Sequence, residues 1–412
     1  MSASDVSPSV QQEVSRLAGL PEVRAAFGRF RFEEPQFAQW QMEVSRVAAP
    51  PFGETARGEW LAGRFRELGL TDVQIDEVGN VFGVRPGYGS RFVSLSAHID
   101  TVFPATTPLN IRQQGTRLYG PGVSDNAAGI VAMLAVASVM DSSRIPHALP
   151  FVFIGNVGEE GEGDLRGMRH VFQTPRWRDA IAYSLIVDGA GSDTVVAEAL
   201  GSRRFEVIAR GPGGHSWSDF GTPNPIIALA RAIQGLSETP VPASPKTTFN
   251  VGVIRGGTSV NSIPESASMR VDLRSTSTVE IDRLERALRI ALDHAVDAEN
   301  LPSVSRGPRR TQIVQCEVVE IGNRPAGELL ADARLLKVIR AVDAQLGNTA
   351  QVQRASTDAN IPLSLGREAI AIGGGGTGGG AHTLQEWFDC HGRDLGLRRI
   401  LLTMLALAGV GE

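Results

Sequence analysis

The chain has 412 residues, of which 42% are hydrophobic and 21% are charged, a composition typical of a globular protein and not of a disordered or fibrous one. Its formal net charge of −5 offers no basic surface for nucleic acid, so that class of partner is not expected. The length exceeds the size at which a single hydrophobic core stops growing, and we therefore expect two domains.

The first seventy residues predict helices. Apolar residues recur at helical spacing from Val10 to about Leu70, and breaks at Pro35 and at residues 49–53 divide the segment into three expected helices. The segment lacks the basic start and apolar run of a secretory leader, and no stretch of the sequence is long and apolar enough to cross a bilayer. We expect a cytoplasmic protein without membrane contact.

Strands and helices then alternate. The strand-like runs are VQID, NVFGVRP and FVSLSAHID, followed by a helix from Ala127 to Met140, the apolar strand LPFVFIGNV, a short helical stretch and the apolar strand YSLIVDG. Apolar strands that alternate with helices are typical of a largely parallel sheet with helices on its faces. The sequence therefore predicts an α/β domain.

The pattern changes near Gly201. Four strands with polar alternation (SRRFEVIARG, TTFNVGVIRGG, ESASMRVDLRS and QIVQCEVVEIGN) are interleaved with two helices. We expect a small α+β domain at residues 202–324, inserted into a larger domain that comprises residues 1–201 and 325–412. The larger domain ends with a strand, EAIAIG, a glycine-rich run, GGGGTGGG, and a closing helix.

Candidate metal ligands follow the apolar strands, at the edge where open α/β sheets bind ligands. His98 and Asp100 stand two residues apart at the end of one strand and so point to one face, which suits a ligating imidazole and a carboxylate that orients it. Asp125 lies in a turn before a helix. The adjacent Glu159 and Glu160 follow a buried strand, where two carboxylates require compensating cations.

Two later segments complete the candidate metal site. Asp188 ends the strand in LIVDGAG, and His382 follows the glycine run, whose backbone can approach a crowded site closely. Imidazoles mixed with carboxylates fit zinc, with cobalt or manganese as substitutes. Three ligating carboxylates and one hydroxide would balance the charge of two divalent ions. The sequence predicts a site for two metals.

The glycine run also allows another interpretation. AIAIGGGGTGGGAH contains a strand followed by G-x-G-x-x-G, as in dinucleotide-binding oxidoreductases. The chain ends about thirty residues after His382 without a second strand that carries an acidic ribose ligand. Without that strand and its acidic residue, the glycine run does not predict an oxidoreductase.

Five motifs in order, AHIDTV, SDNAAG, GEEGEG, VDGAG and GGAHT, resemble the metallopeptidases that include peptidase T, carboxypeptidase G, acetylornithine deacetylase and succinyl-diaminopimelate desuccinylase. The resemblance covers nearly the whole chain and implies a zinc-exopeptidase catalytic domain with an inserted lid and dimerisation domain. It implies that Asp125 bridges two metal ions, that His98 and Asp188 complete one site, and that Glu160 and His382 complete the other.

The resemblance also implies roles beyond the ligands. Glu159 is the expected general base for a metal-bridged water, and Asp100 the support for His98. The resemblance implies substrate contacts at His215, Asn261, Arg274, Asp358 and Asn360. The exposed backbone at Gly376 and Thr377 is a further candidate for binding an anionic group.

The expected reaction is cleavage of a di- or tripeptide by a peptidase T-like exopeptidase that forms a homodimer through the inserted domain. Deacylation of N-acyl amino acids uses the same mechanism, so the ligand set leaves it open. A catalytically inactive metal-binding relative is a third interpretation, although a purely structural site needs no extra base such as Glu159. The segment before Pro35 departs from the family pattern.

Overall fold

The computed structural model describes residues 8–301 and 313–409. Its contacts divide the chain into two compact units, which we call unit 1 (Met1–Ala199 with Glu328–Glu412) and unit 2 (Leu200–Gly327). The sequence places the inserted domain at residues 202–324. The catalytic and lid roles expected for the two domains stay predictions.

The helices in chain order are α1 (Pro8–Gly19), α2 (Pro21–Phe32), α3 (Glu34–Ser45), α4 (Thr55–Glu67), α5 (Ala127–Ser142), α6 (Arg166–Gln173), α7 (Pro175–Ala180), α8 (Pro225–Ser237), α9 (Thr278–Asn300), α10 (Arg334–Leu346), α11 (Asn360–Ser364) and α12 (Arg393–Ala408). The strands are β1 (Thr71–Ile75), β2 (Val81–Arg85), β3 (Phe92–His98), β4 (Arg112–Gln114), β5 (Arg117–Tyr119), β6 (Phe151–Asn156), β7 (Ile181–Val187), β8 (Thr194–Ala199), β9 (Gly201–Arg210), β10 (Gly214–His215), β11 (Thr247–Gly256), β12 (Ser262–Ile263), β13 (Ser266–Ser275), β14 (Gln315–Arg324), β15 (Gly327–Glu328), β16 (Gln351–Ala355), β17 (Glu368–Ile372), β18 (Thr377–Gly379) and β19 (Trp387–Asp389).

Between residue 8, where the described structure begins, and the first strand there are four helices, α1 to α4, so the prediction of three is wrong. Pro21 occupies the first turn of α2 and Pro35 the first turn of α3. Proline is accommodated there because its missing N–H has no intrahelical partner in the first turn, whereas in a helix interior it removes a hydrogen bond. The missed boundary is therefore the one at Pro21.

Unit 1 contains a nine-stranded sheet in the order β1-β2-β6-β3-β7-β17-β8-β15, with β16 paired to β8. Strands β6, β3, β7 and β17 are parallel, whereas β1 and β2 run antiparallel to their neighbours. This confirms the predicted α/β class with a largely parallel sheet. Because the four parallel strands share one direction, the residues that follow them meet at one edge of the sheet.

Helix α5 carries the turn at Asp125 against this sheet. Its residues Ala127–Val136 are all buried, and it contacts α2, α3, α12 and β3. A helix that is apolar on all sides is stable only when other elements cover every face. Here the amino-terminal helices supply part of that cover.

A second sheet of unit 1, in the order β18-β19-β5-β4, is antiparallel. The glycine run therefore leads from β17 into β18 and β19, and α12 begins only at Arg393. A dinucleotide fingerprint requires a helix that opens directly on the glycine turn. The oxidoreductase interpretation is therefore wrong.

Unit 2 has a four-stranded antiparallel sheet in the order β11-β13-β9-β14, with helices α8 and α9 packed on it. Its core contains Phe205, Leu229, Leu273 and Leu288, which are all fully buried. Within the ranges that the structure describes, no helix of either unit combines the length and apolarity needed to span a bilayer.

Candidate metal centre

The five predicted ligands lie together at the edge of the parallel sheet. Three groups of side chains each bring their nitrogen and oxygen atoms within 4.8 Å of one another. The groups are His98–Asp125–Asp188, Asp125–Glu160–His382 and His98–Glu159–Glu160. His98, Asp125 and Glu160 each belong to two of these groups, so the groups overlap in one continuous cluster of donor atoms.

The two carboxylate oxygens of Asp125 face different imidazoles. Oδ1 lies 3.1 Å from Nε2 of His98, and Oδ2 lies 3.1 Å from Nε2 of His382. On the outer sides of this pair, His98 Nε2 is 3.7 Å from Asp188 Oδ1, and His382 Nε2 is 3.1 Å from Glu160 Oε1. A single carboxylate thus lies between two sets of nitrogen and oxygen donors.

Asp100 is fully buried behind His98. Its carboxylate accepts hydrogen bonds from the backbone N–H of Glu159 (3.1 Å) and of Glu160 (2.8 Å). His98 Nδ1 lies 3.2 Å from the backbone carbonyl of Asp100 and 3.5 Å from its Oδ1. A carboxylate beside the outer ring nitrogen is a recurring support of metal-ligating histidines, because it fixes the ring and its tautomer. Asp100 also fixes the backbone of both glutamates.

The protonation of the site shows an excess of negative charge. Burial opposes a charged His98, but hydrogen bonds with Asp100, Asp125 and Asp188 outweigh burial and raise its pKa well above the ordinary value. The hydrogen bond with Asp125 and the charge of Glu160 raise the pKa of His382 to about 9. In this structure, protons on the two imidazoles offset the negative charge of the carboxylates. Two divalent cations would neutralise the same charge, so the donor set fits two such cations.

Asn126 joins the Asp125 turn to the segment of Asp188, and sequence reasoning missed it. Its Oδ1 accepts from the backbone N–H of Gly129 (3.1 Å) and of Gly189 (3.0 Å), and its Nδ2 donates to the carbonyl of Val187 (2.9 Å). The first of these bonds caps α5. Asparagine immediately before a helical segment is a recognised capping signal that could have identified this residue.

Glu386 is a second residue that sequence reasoning missed. This fully buried carboxylate accepts hydrogen bonds from the backbone N–H groups of Gly122 (2.8 Å), Ser124 (2.7 Å) and Asp125 (2.7 Å). Burial raises its pKa to about 7, although the three backbone donors oppose that shift. The available signal is an acidic residue four positions after His382, directly before the strand Trp387–Asp389.

Arg57 binds the backbone of Ile99, the residue that follows His98. Its side chain is 1% exposed and donates to the carbonyls of Ile99 (3.0 Å) and Val47 (3.0 Å). Burial lowers its pKa to about 10. The amphipathic pattern of α4 gives no sign of this role, because an arginine in such a helix is normally assigned to its solvent face.

The predicted substrate contacts of unit 1 lie at different depths. Asp358 and Asn360 are fully buried, and Asp358 Oδ2 accepts a hydrogen bond of 2.6 Å from Asn156 Nδ2. Asn156 is the partner of His98 across β3 and β6, so Asp358 lies just behind the ligands. Burial raises the pKa of Asp358 to about 7.

Thr377 lies on the open side of the site. It lines a cavity of about 360 Å³ together with Asp125, Asp188, Gly189 and Gly378. The cavity therefore connects the predicted ligands to the glycine run, and it can receive a small molecule beside Asp125.

The other three predicted substrate contacts belong to unit 2. Strands β10 and β12 pair His215 with Ser262, next to Asn261, and Arg274 Nε donates to Asp272 Oδ2 at 2.6 Å. The roles of His215, Asn261 and Arg274 in substrate binding stay predictions.

His391 is the alternative to His382. Its backbone N–H donates to Asp389 Oδ1 at 3.1 Å, and among the described residues the three candidate ligand groups contain His382 but not His391. His382 has a φ of 64°, a left-handed conformation that is uncommon outside glycine and that often marks functional sites.

Known proteins resemble this chain in sequence and fold. The model of peptidase family M20/M25/M40 matches residues 94–405. A probable carboxypeptidase of Ajellomyces dermatitidis is 30% identical over 230 residues, which are 51% of this chain and 52% of that protein. The chain thus spans about half the length of the curated relatives that it matches.

Solved structures match over almost their entire length. Aminopeptidase PepT from Bacillus cereus superposes with a TM-score of 0.73 at 19% identity, covering 91% of this chain and 99% of PepT. The Bacillus subtilis YXEP protein, described as a dinuclear metal-binding peptidase, superposes with a TM-score of 0.65 at 14% identity, covering 92% of this chain and 99% of that protein. At these identities the likeness establishes a shared fold.

Proposed function

The chain belongs to peptidase family M20/M25/M40, and on this premise we propose that it hydrolyses an amide bond of a small peptide with the help of two divalent metal ions. The observation that carries the proposal is the position of Asp125, whose two oxygens face the imidazoles of His98 and His382 at 3.1 Å each. A shared carboxylate flanked by two donor sets is the geometry of a two-metal hydrolase.

Five side chains would hold the metals. His98 and Asp188 belong to one site, Glu160 and His382 to the other, and Asp125 to both. We propose zinc, and the same nitrogen and oxygen donors would accept cobalt or manganese. Bound there, the ions would supply Lewis-acid polarisation of the amide carbonyl and a nucleophilic hydroxide at neutral pH.

Glu159 is the proposed general base. Its carboxylate lies within 4.8 Å of donor atoms of His98 and Glu160, and its backbone N–H is held by Asp100. In the proposed reaction Glu159 removes a proton from the attacking water as the new C–O bond forms. It then returns the proton to the departing amine as the C–N bond breaks.

Glu159→Gln tests this assignment, with Glu162→Gln as the matched control, because Glu162 is exposed on the neighbouring turn. The Glu159 variant should bind two metal equivalents and lose about 10²–10⁴-fold in kcat, the contribution of a general acid/base. The control should keep its kcat. An unchanged kcat in Glu159→Gln would exclude Glu159 as the base, and wild-type protein that binds no metal would exclude the whole proposal.

A small peptide is the proposed substrate, and a peptidase T-like exopeptidase the proposed enzyme. The similar proteins include an aminopeptidase and probable carboxypeptidases, so a free amino terminus and a free carboxylate are both proposed as substrate features. The proposed partner of that carboxylate is Arg274, because guanidinium binds carboxylate at two points. We test these choices with tripeptides blocked at either end and with N-acyl amino acids. Cleavage of N-acyl amino acids alone would identify a deacylase.

The proposal includes a homodimer formed through unit 2. Strand β11 is at the edge of its sheet, and Ile254 on it is 55% exposed. An exposed edge strand presents unpaired backbone groups to a second chain. Ile254→Lys should convert a dimer to a monomer in light scattering coupled to gel filtration, and a wild-type monomer would contradict this part of the proposal.

A further inference from the structure

The turn that carries the shared ligand is held by two buried side chains from distant parts of the chain. We call residues 122–125 the ligand turn. Glu386 accepts three of its backbone N–H groups, those of Gly122, Ser124 and Asp125, at 2.7–2.8 Å. Gln41 of α3 donates from Nε2 to the carbonyl of Val123 at 2.5 Å. Both side chains are 0% exposed.

Glu386 does not belong to the candidate ligand groups found among the described residues. Its Oε1 accepts from Ser124 and Asp125, and its Oε2 accepts from Gly122. Three N–H groups that converge in a buried space require an acceptor, because unpaired buried donors are costly. A carboxylate is the one side chain that offers two oxygens and no donor to meet them.

The same glutamate connects two segments that carry ligands. Its own backbone N–H donates to the carbonyl of Thr383 at 3.2 Å, and its backbone carbonyl accepts from Gly120 at 2.9 Å. Thr383 directly follows His382. The backbone of Glu386 is thus bound to the His382 segment while its side chain is bound to the backbone of Asp125.

A shift of the ligand turn or of the His382 segment would separate the donor atoms of Asp125 and His382, which must lie close together to bind a shared metal. Asp125 Oδ2 and His382 Nε2 lie 3.1 Å apart, and metal–ligand distances tolerate only a few tenths of an ångström. The backbone of Asp125 is anchored directly by Glu386 at its own N–H. The position of the shared ligand therefore depends on this carboxylate.

We propose that Glu386 is a positioning residue for the metal centre, which fixes Asp125 and the His382 segment in ligating geometry, with Gln41 as a second brace on the ligand turn. The proposal rests on the proposed function, since it concerns the same two-metal site. It also gives the amino-terminal helices a part in the site, because Gln41 lies on α3 and accepts a hydrogen bond from Arg393 Nη2 at 2.5 Å.

The test compares zinc affinities of the full-length chain, measured by competition with a chromophoric chelator. Glu386→Ala removes all three acceptor contacts, and we expect zinc affinity to fall about 10–100-fold, as for other residues that support metal ligands. Glu386→Gln keeps one oxygen but turns an amide N–H toward the Gly122 N–H. Its zinc affinity should therefore fall less than that of Glu386→Ala. Gln41→Leu should weaken zinc binding least, because it removes one contact of the turn.

Activity provides a second measurement. A misplaced Asp125 should lower kcat at saturating zinc in Glu386→Ala while KM changes little, because the substrate contacts are untouched. The matched control is Glu299→Gln, which alters a buried carboxylate of unit 2 that accepts a backbone N–H from Asn224 at 3.1 Å. This control should lower the melting temperature and leave zinc affinity and kcat unchanged.

Failure of this inference differs from failure of the proposed function. If wild-type protein does not bind two zinc ions, the proposed function is wrong. If wild type binds two ions and Glu386→Ala matches it in affinity and kcat, Glu386 is a stability residue and the inference is overturned. Should the alanine variant not fold, Glu386→Gln decides, because wild-type zinc affinity in that variant would equally overturn the inference.

Discussion

Replacing Asn126 by alanine removes the side chain that ties the Asp125 turn to the Asp188 segment. Its three hydrogen bonds go to the N–H groups of Gly129 and Gly189 and to the carbonyl of Val187, and Asn126 is fully buried. The cap of α5 is worth about 1 kcal/mol. The carbonyl of Val187, left buried and unpaired, costs about 1–3 kcal/mol. The N–H of Gly189 is part-buried at the cavity and can bind water, so the loss of its partner costs less.

We therefore expect Asn126→Ala to lower the free energy of unfolding of unit 1 by roughly 2–5 kcal/mol. This is a large share of the total stability of a typical domain, which is about 5–15 kcal/mol. The substitution should also weaken zinc binding, because it frees both the Asp125 turn and the Asp188 segment.

Urea unfolding of metal-free protein, followed by tryptophan fluorescence, measures this change. Of the five tryptophans, only Trp217 lies in unit 2, so the signal reports mainly on unit 1. Asn224→Ala is the matched control, since Asn224 caps α8 of unit 2 through one bond of 2.9 Å to the N–H of Ile226. It should leave the tryptophan transition in place. A loss below about 1 kcal/mol in Asn126→Ala would refute the reasoning, because it would mean that the backbone groups find other partners.

Three further outcomes are expected. Asp100→Asn should weaken zinc binding about 10–100-fold, because it weakens the support of His98; equal zinc affinity by chelator competition would contradict this. His382→Ala should reduce bound zinc from two equivalents to one by elemental analysis, whereas His391→Ala should keep both; the reverse result would exchange their roles. The pKa of Asp358 rises from 3.8 to about 7 on folding, so the folded protein holds its proton between those pH values and stability falls as the pH rises through them. Metal-free Asp358→Asn should therefore show a flatter decline of the urea midpoint than wild type over that range, and equal slopes would remove Asp358 as the cause.

The convergence of the candidate metal ligands was predictable because these residues have a local signature. His98 ends an apolar strand, and Glu160 and Asp188 follow such strands. Parallel strands bring these positions to one edge whatever their separation in sequence. The ordered motifs and the family match over residues 94–405 both point to the same peptidase family. Substrate roles for His215, Asn261 and Arg274 had no comparable geometric constraint, and they stay predictions.

The supporting residues were not predictable in the same way. Glu386 looks in sequence like any acidic residue beside a surface strand, and Gln41 like a polar position on an amphipathic helix. Their roles arise from backbone groups of residues 122–125, to which they are joined by hydrogen bonds across 261–264 positions for Glu386 and 82 positions for Gln41. Periodicity carries no information about such contacts.

The sequence by itself determined the fold class, the family and the residue types of the proposed ligands, because apolar periodicity and motif order are properties of the chain read in one dimension. The sequence also contains the signal for the helix boundary at Pro21, which was recognised only from the structure. The tertiary structure alone decided that the two oxygens of Asp125 face two different imidazoles, and that Glu386, Asn126 and Asp100 bind backbone groups of the segments that carry the proposed ligands. Those facts depend on distances between remote backbone atoms, which are set when helices and sheets pack and which no local pattern records.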